Sequence, residues 1–137
     1  MAQSFESSRP PLRFSRVWWI SGCVLIGIII YFSLTPNPPS ATHLTSDKVQ
    51  HFAAYWAAMF WFAGITDRRR YPMIAFSLLS ISIFIEVAQG AMALGRQADY
   101  HDVIANASGI AVALVLAYTR FELWMVRVER RLRLARA

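Results

Sequence analysis

Ten polar and charged residues are the part of this sequence whose types could do chemistry. They comprise two basic side chains, four carboxylates, one imidazole and three neutral hydrogen-bonding groups. In chain order they are Asp47, Lys48, His51, Tyr55, Glu86, Gln89, Arg96, Asp99, Asp102 and Asn106. Lysine and arginine bind anionic groups, whereas a carboxylate near an imidazole can exchange protons with a substrate. The set therefore fits a site for a polar ligand, an acid-base pair, or both.

Two of these residues, His51 and Glu86, are the ones that we expect to act as proton donor and acceptor, and the other eight would bind the ligand. The sequence contains no nucleophile elbow, no phosphate-binding loop and no HExxH motif. Whether the chain is an enzyme therefore stays open. No cofactor is predicted. A divalent cation such as Mg, Mn or Ca on His51, Glu86, Asp99 and Asp102 is chemically allowed, but the spacing identifies no metal.

The spacing of these residues predicts that they share helix faces. Steps of three or four residues recur within each group, and such a step returns a side chain to the same side of a helix. The groups are Asp47-Lys48-His51-Tyr55, Glu86-Gln89 and Asp102-Asn106. Each group lies near one end of a long apolar segment, so the arrangement of those segments decides whether the groups meet.

Four apolar segments must position these groups. The chain is 56% hydrophobic and 16% charged, a more apolar balance than a water-soluble core of 137 residues uses. A helix of about 20 mostly apolar residues crosses the roughly 30 Å of hydrocarbon in a bilayer. The segments that reach or approach this length are 17–34, 49–66, 71–94 and 103–119. The sequence therefore predicts an all-α membrane protein with a bundle of four transmembrane helices.

The basic residues predict the orientation of this bundle. Twelve of the fourteen lysines and arginines precede the first segment, join the second to the third, or follow the fourth. The other two loops contain only Lys48 and Arg96. Because basic residues concentrate on the cytoplasmic side, both termini are predicted to lie in the cytoplasm, an N-in/C-in topology. The ten polar residues then gather at the extracytoplasmic ends of the last three helices.

Glu86 is the one acidic residue within the apolar segments themselves. At about 1.5 Å per residue it lies roughly 12 Å below the outer end of its helix, at the level of the hydrocarbon. A carboxylate that faces lipid at this depth is costly, so Glu86 should face the other helices and find a partner there. The rival interpretation is that the whole polar set only holds helices together through hydrogen bonds and ion pairs.

The chain divides into three predicted parts: a cytoplasmic N-terminal arm over 1–16, the membrane domain over 17–119, and a basic cytoplasmic tail over 120–137. Apolar residues recur in the tail at helical spacing, which suits an amphipathic helix on the inner leaflet, and a solvated coil is the alternative. They are Phe121, Met125, Val128 and Leu132. A cleaved signal peptide is the alternative reading of the first apolar segment, but that segment is longer than a typical signal core.

Small residues recur every fourth position along the fourth segment, at Ala105, Gly109, Ala113 and Ala117. This small-residue stripe would let a neighbouring helix approach closely. A homo-oligomer formed through it is one use of the stripe. Packing against another helix of the same chain is the other.

Three motifs in fixed order extend the pattern beyond the individual groups. They are Asp47-Lys48-x-x-His51-Phe52-x-x-Tyr55, Glu86-x-x-Gln89 and Gly95-Arg96-x-x-Asp99-x-x-Asp102-x-x-x-Asn106-x-x-Gly109, with Ser33-Leu34-Thr35-Pro36 closing the first segment. Together they resemble the VanZ-like family of bacterial integral membrane proteins. The resemblance implies a four-helix, multi-pass protein of the bacterial cytoplasmic (inner) membrane. It also implies a link to the family's namesake, which is associated with low-level resistance to the glycopeptide teicoplanin.

The leading functional hypothesis is an extracytoplasmic site that binds an amphiphilic cell-envelope molecule, a lipid or a lipid-linked precursor, and that could also modify it. Lys48 and Arg96 would hold an anionic or sugar head group, and aromatic side chains of the second segment would meet its lipid part. Membrane lipids are the expected surroundings. Nucleic acid is not an expected partner, because the basic residues lie where the inner leaflet attracts them.

Two other classes of function stay open at this stage. One is a small transporter or proton relay, in which Glu86 and His51 would titrate and the chain would oligomerise through the small-residue stripe. The other is a structural or assembly protein with no ligand.

Overall fold

A computed structural model describes residues 10–36, 46–92, 98–119 and 121–134, with side chains described as far as residue 132. The elements are α1 (Ser15–Leu34), α2 (Asp47–Ile65), a 3-10 turn (Arg68–Arg70), α3 (Tyr71–Met92), α4 (Tyr100–Ala117) and α5 (Trp124–Leu134). No strand occurs in these ranges. The prediction of an all-α chain is confirmed for them. Each predicted apolar segment corresponds to a helix to within three residues at either end.

Three stretches of the described chain are long and apolar enough to cross a bilayer. They are Ser15–Leu34, Arg68–Met92 and Tyr100–Ala117, which correspond to α1, α3 with its preceding turn, and α4. The sequence predicted a fourth in α2. This helix is less apolar because its first two turns carry Asp47, Lys48, Gln50 and His51.

The outward faces of these helices carry large apolar side chains. Phe76 and Phe84 on α3 are 73% and 71% exposed, and Ile20 on α1 and Val115 on α4 are also exposed. A water-soluble protein rarely presents such continuous apolar faces, whereas lipid covers them at no cost. This distribution is typical of helices in a bilayer.

Within the described residues, the most extensive helix packing is between α2 and α4. The two helices run in the same direction, because their first turns meet through Lys48 and Asp102. Gly109 on α4 lies against the α2 backbone, where a Cβ atom would fall 2.3 Å from the Phe52 carbonyl oxygen. Ala113 and Ala117, on the same face of α4, are fully buried. Three of the four residues of the small-residue stripe, Gly109, Ala113 and Ala117, are thus buried within the chain.

Contacts from α5 and from the turn before α3 stabilise the arginine-rich end of the bundle. Arg68 donates a hydrogen bond to the carbonyl of Tyr118 at 2.8 Å, just beyond the last turn of α4. Trp124 donates to the carbonyl of Phe60 at 3.2 Å, and Met125 is completely buried. A helix is therefore present in the predicted tail, and one side of it packs against the bundle.

Candidate functional site

The candidate site lies at the opposite end of the bundle, where α2 and α4 begin and α3 ends. Nine of the ten predicted site residues lie in the described ranges, and Arg96 lies outside them. Seven of the nine form one polar cluster, which we call the outer cluster. Its members are Asp47, Lys48, His51, Glu86, Asp99, Asp102 and Asn106.

Lys48 joins α2 to α4 at the mouth of the outer cluster. Its ammonium donates hydrogen bonds to the carboxylates of Asp99 and Asp102. Lys48 is 43% exposed, whereas the side chain of Asp102 is buried. Two of the three ammonium protons are therefore engaged within the protein, and the third is available to solvent or to a ligand.

Asp99 precedes the first residue of α4 and lies at the mouth of the cluster. As the N-cap residue, it accepts a hydrogen bond from the backbone N–H of His101 at 2.9 Å, and a second at 2.8 Å when the imidazole Nδ1 is protonated. The hydrogen bond from Lys48, followed by these bonds from His101, holds the pKa of the Asp99 carboxyl well below its usual range. Asp99 is therefore ionised at neutral pH.

His51 on α2 contacts α4 through both ring nitrogens and reaches α3 through Asn106. Its Nδ1 lies 3.2 Å from Asn106 Oδ1, and the Asn106 amide donates in turn to Ser82 Oγ at 2.8 Å. Its Nε2 lies 3.5 Å from Asp102 Oδ2 and 3.8 Å from Asp47 Oδ2. A hydrogen-bonded series from α3 through α4 to α2 thus orients the imidazole toward two carboxylates.

Sequence reasoning missed Ser82 as a member of this series. The signal was available, because Ser82 lies four residues before Glu86 and so shares its helix face. Serine within an apolar helix usually bonds its own backbone, so the sequence alone does not mark it as a site residue. Here Ser82 is fully buried and accepts the bond that orients Asn106.

Glu86 forms the floor of the outer cluster. It is only 5% exposed, and its Oε2 accepts the backbone N–H of Asp99 at 3.1 Å. Its Oε1 is buried and has no hydrogen-bond partner among the described residues. The buried Tyr55 hydroxyl, which faces Ser82, also lacks a hydrogen bond of ordinary geometry there. The floor can therefore still accept or donate hydrogen bonds.

The remaining predicted site residue, Gln89, connects the floor to α1. Its amide donates to the carbonyl of Ser33 at 2.6 Å, and the side chain is buried. The predicted proton-exchanging residues, His51 and Glu86, lie in the same cluster but bond different partners: His51 bonds Asn106, and Glu86 bonds the Asp99 backbone.

The helices of membrane length are typical of a membrane protein, and this one carries a partly open polar cluster at one end of its bundle. The VanZ/LLP1 family model matches residues 13–124, from the turn before α1 to the first residue of α5. The chain belongs to the VanZ/LLP1 family, as the ordered motifs predicted. No curated protein and no solved structure matches the chain.

Proposed function

We propose that the outer cluster binds the polar head group of an amphiphilic cell-envelope molecule, and that a sugar-bearing head group suits it better than an anionic one. The observation that carries this proposal is the graded burial of the cluster. Lys48 and Asp47 are exposed at its mouth, whereas Glu86 and Asn106 are buried at its floor. A polar head group could enter between them from the membrane surface.

The charges of the outer cluster favour hydroxyl groups over phosphate. Asp47, Glu86, Asp99 and Asp102 contribute four carboxylates, against the single ammonium of Lys48. Arg96, which was predicted to help hold the head group, would still leave the carboxylates in excess. Carboxylates accept hydrogen bonds from sugar hydroxyls and repel phosphate oxygens.

Apolar side chains beside the mouth would accommodate the lipid part of the same molecule. Val49 on α2 and Tyr100 and Ile104 on α4 are exposed in the turns that carry Lys48 and Asp102. A tyrosine at this level suits the boundary between head groups and acyl chains. If the bound molecule reacts, His51 and Glu86 are the residues that we propose to exchange protons. An envelope ligand also accords with the association of the family's namesake with teicoplanin resistance.

Retention of a lipid through purification tests this proposal. Native mass spectrometry of the full chain, released from membranes in mild detergent, should detect a co-purified envelope lipid. Glu86→Gln should reduce its occupancy at least tenfold, because an NH2 group, which cannot accept a hydrogen bond from a ligand hydroxyl, would replace the acceptor oxygen Oε1. The fold should persist, since glutamine still offers an oxygen to the Asp99 N–H.

A matched control for this experiment is Glu122→Gln, which alters a glutamate at the other end of the bundle, beside Arg68. It should retain the lipid like the wild-type protein. Equal retention in Glu86→Gln and Glu122→Gln would argue against the proposed site. If Glu86→Gln both releases the lipid and lowers the melting temperature of the protein, the result would instead favour a purely structural role for the cluster.

We also infer that α2 crosses the membrane with α1, α3 and α4, with both termini in the cytoplasm of a bacterial inner membrane. The 19 residues of α2 extend about 28 Å. Its first turn contacts the start of α4, and a short turn connects its end to α3, so α2 must traverse the same thickness as these neighbours. The arginine excess at the opposite end supports the inward orientation.

Cysteine labelling tests this topology in a background in which Cys23, the one native cysteine, is replaced by serine. Asp47→Cys should react with a membrane-impermeant maleimide added outside intact spheroplasts. Arg69→Cys should react only after permeabilisation, because it lies in the exposed turn at the other end of the bundle. The reverse pattern, or labelling of both sites from outside, would contradict the inferred orientation.

A further inference from the structure

We propose that Asp47, His51 and Asp102 form a binding site for a divalent transition-metal cation, Zn²⁺ or Mn²⁺, at the mouth of the outer cluster. One ligand atom from each residue lies within 4.8 Å of the other two. His51 Nε2 is 3.5 Å from Asp102 Oδ2 and 3.8 Å from Asp47 Oδ2. Ligands about 2.1 Å from a tetrahedral ion lie about 3.4 Å apart, so small side-chain shifts would complete the geometry.

The hydrogen bond to the other ring nitrogen prepares His51 for this role. Nδ1 faces the carbonyl oxygen of Asn106, which only accepts, so Nδ1 carries the ring proton. In the neutral ring, Nε2 then presents a lone pair to two carboxylates, an arrangement that requires a cation or a proton between them. Metal-binding histidines characteristically donate their other N–H to an oxygen in this way.

The buried floor of the cluster provides an independent indication of a cation. Glu86 Oε1 has no hydrogen-bond partner among the described residues, and its electrostatic neighbours include Asp102 and His51. A buried carboxylate oxygen without a hydrogen bond is costly, and three further carboxylates lie above this one. It therefore needs a nearby positive charge or a hydrogen-bond donor. A water bound to the metal would supply that donor.

The roles of the neighbouring groups decide which residues can be ligands. Lys48 occupies Asp102 Oδ1 and leaves Oδ2 available. Asp99 is already engaged by Lys48 and His101, so Asp47 completes the set. One imidazole with two carboxylates suits Zn²⁺ or Mn²⁺, because Ca²⁺ takes six to eight oxygens and copper(I) prefers thiolates.

Metal binding by the full chain, in nanodiscs of synthetic phosphatidylcholine, tests the proposal. Titration calorimetry with Zn²⁺ and Mn²⁺ should give one ion per chain for at least one of the two metals. Asp47→Asn and His51→Gln should each weaken the affinity at least tenfold. Asp47 is 57% exposed, so its variant should keep the fold even if His51→Gln does not. Melting curves of both variants would verify this.

The matched control is His101→Gln, which removes an exposed imidazole near the same mouth but outside the metal-binding trio. It should bind metal as the wild-type protein does. The proposal is overturned by wild-type binding no greater than that of empty nanodiscs, or by equal affinity in Asp47→Asn, His51→Gln and His101→Gln. Because no envelope lipid is present, the outcome is separate from that of the head-group experiment.

Discussion

Replacing Gly109 by alanine is expected to lower the free energy of unfolding by about 3 kcal/mol, near the upper end of overpacking effects. The added methyl group would lie 2.3 Å from the Phe52 carbonyl oxygen and 3.0 Å from the Trp56 backbone nitrogen. Neither neighbour is a flexible side chain that could turn away. The α2 and α4 backbones must therefore move apart along the face that packs them most closely.

This separation should also disturb the outer cluster. Gly109 lies three residues after Asn106, on the face of α4 that meets α2. Displacing the helices would lengthen the contact between His51 and Asn106 and the bond between Lys48 and Asp102. We therefore expect Gly109→Ala to lose the retained lipid as well as stability. Reversible unfolding in mixed micelles, followed by circular dichroism, measures the first effect, and native mass spectrometry measures the second.

Gly27 provides the matched control, because it is also a helical glycine but has nothing within 4 Å of its hypothetical Cβ. Gly27→Ala should leave stability unchanged or raise it slightly, since alanine favours the helix more than glycine does. Equal stability of the Gly109 and Gly27 variants would mean that the close contact of α2 with α4 is not the packing that holds the bundle together.

The helices and the location of the site could be predicted from the sequence because both depend on local patterns. Apolar length defines a membrane helix, and a step of three or four residues defines a helix face. Those two rules alone place His51, Glu86 and Asn106 at one end of the bundle. The basic residues at the other end strengthened this placement.

The partners of individual residues could not be predicted in the same way. Lys48 was expected to hold a ligand, yet it bonds Asp99 and Asp102, which are more than 50 residues away. That pairing depends on α2 and α4 running in parallel at a particular register. The register is determined by the close approach at Gly109 and not by any pattern within α2 alone. The small-residue stripe indicated the approach but not which helix would make it.

Glu129 is the clearest case of a role that no local pattern could reveal. Its position among the arginines of the tail is typical of a solvated acidic residue. In the structure it is buried, and its carboxylate accepts the backbone N–H groups of Arg13 and Phe14 at 2.8 and 2.9 Å. It also accepts the indole N–H of Trp18 at 2.8 Å. Its partners precede it by more than 110 residues.

The start of α1 explains why this carboxylate is needed. Phe14, the N-cap residue, offers no side-chain hydrogen bond, and the first turn contains no acidic residue. The free N–H groups and positive dipole end of a helix favour an anion at that position. Glu129 on α5 provides the carboxylate that the first turn of α1 lacks. Its hydrogen bonds therefore hold α5 against the start of α1.

Glu129→Ala is accordingly expected to lower the free energy of unfolding by about 3 kcal/mol, because three donors lose a charged acceptor. Hydrogen exchange should accelerate at the amides of Arg13 and Phe14. Exchange at the outer cluster, at the opposite end of the bundle, should not change. Glu122→Ala is the control, since the ion pair that Glu122 makes with Arg68 within the described ranges is longer, at 3.7 Å, and partly exposed. Were the two alanine variants equally stable, with unchanged exchange at the start of α1, the docking of α5 through Glu129 would not contribute to the stability of the bundle.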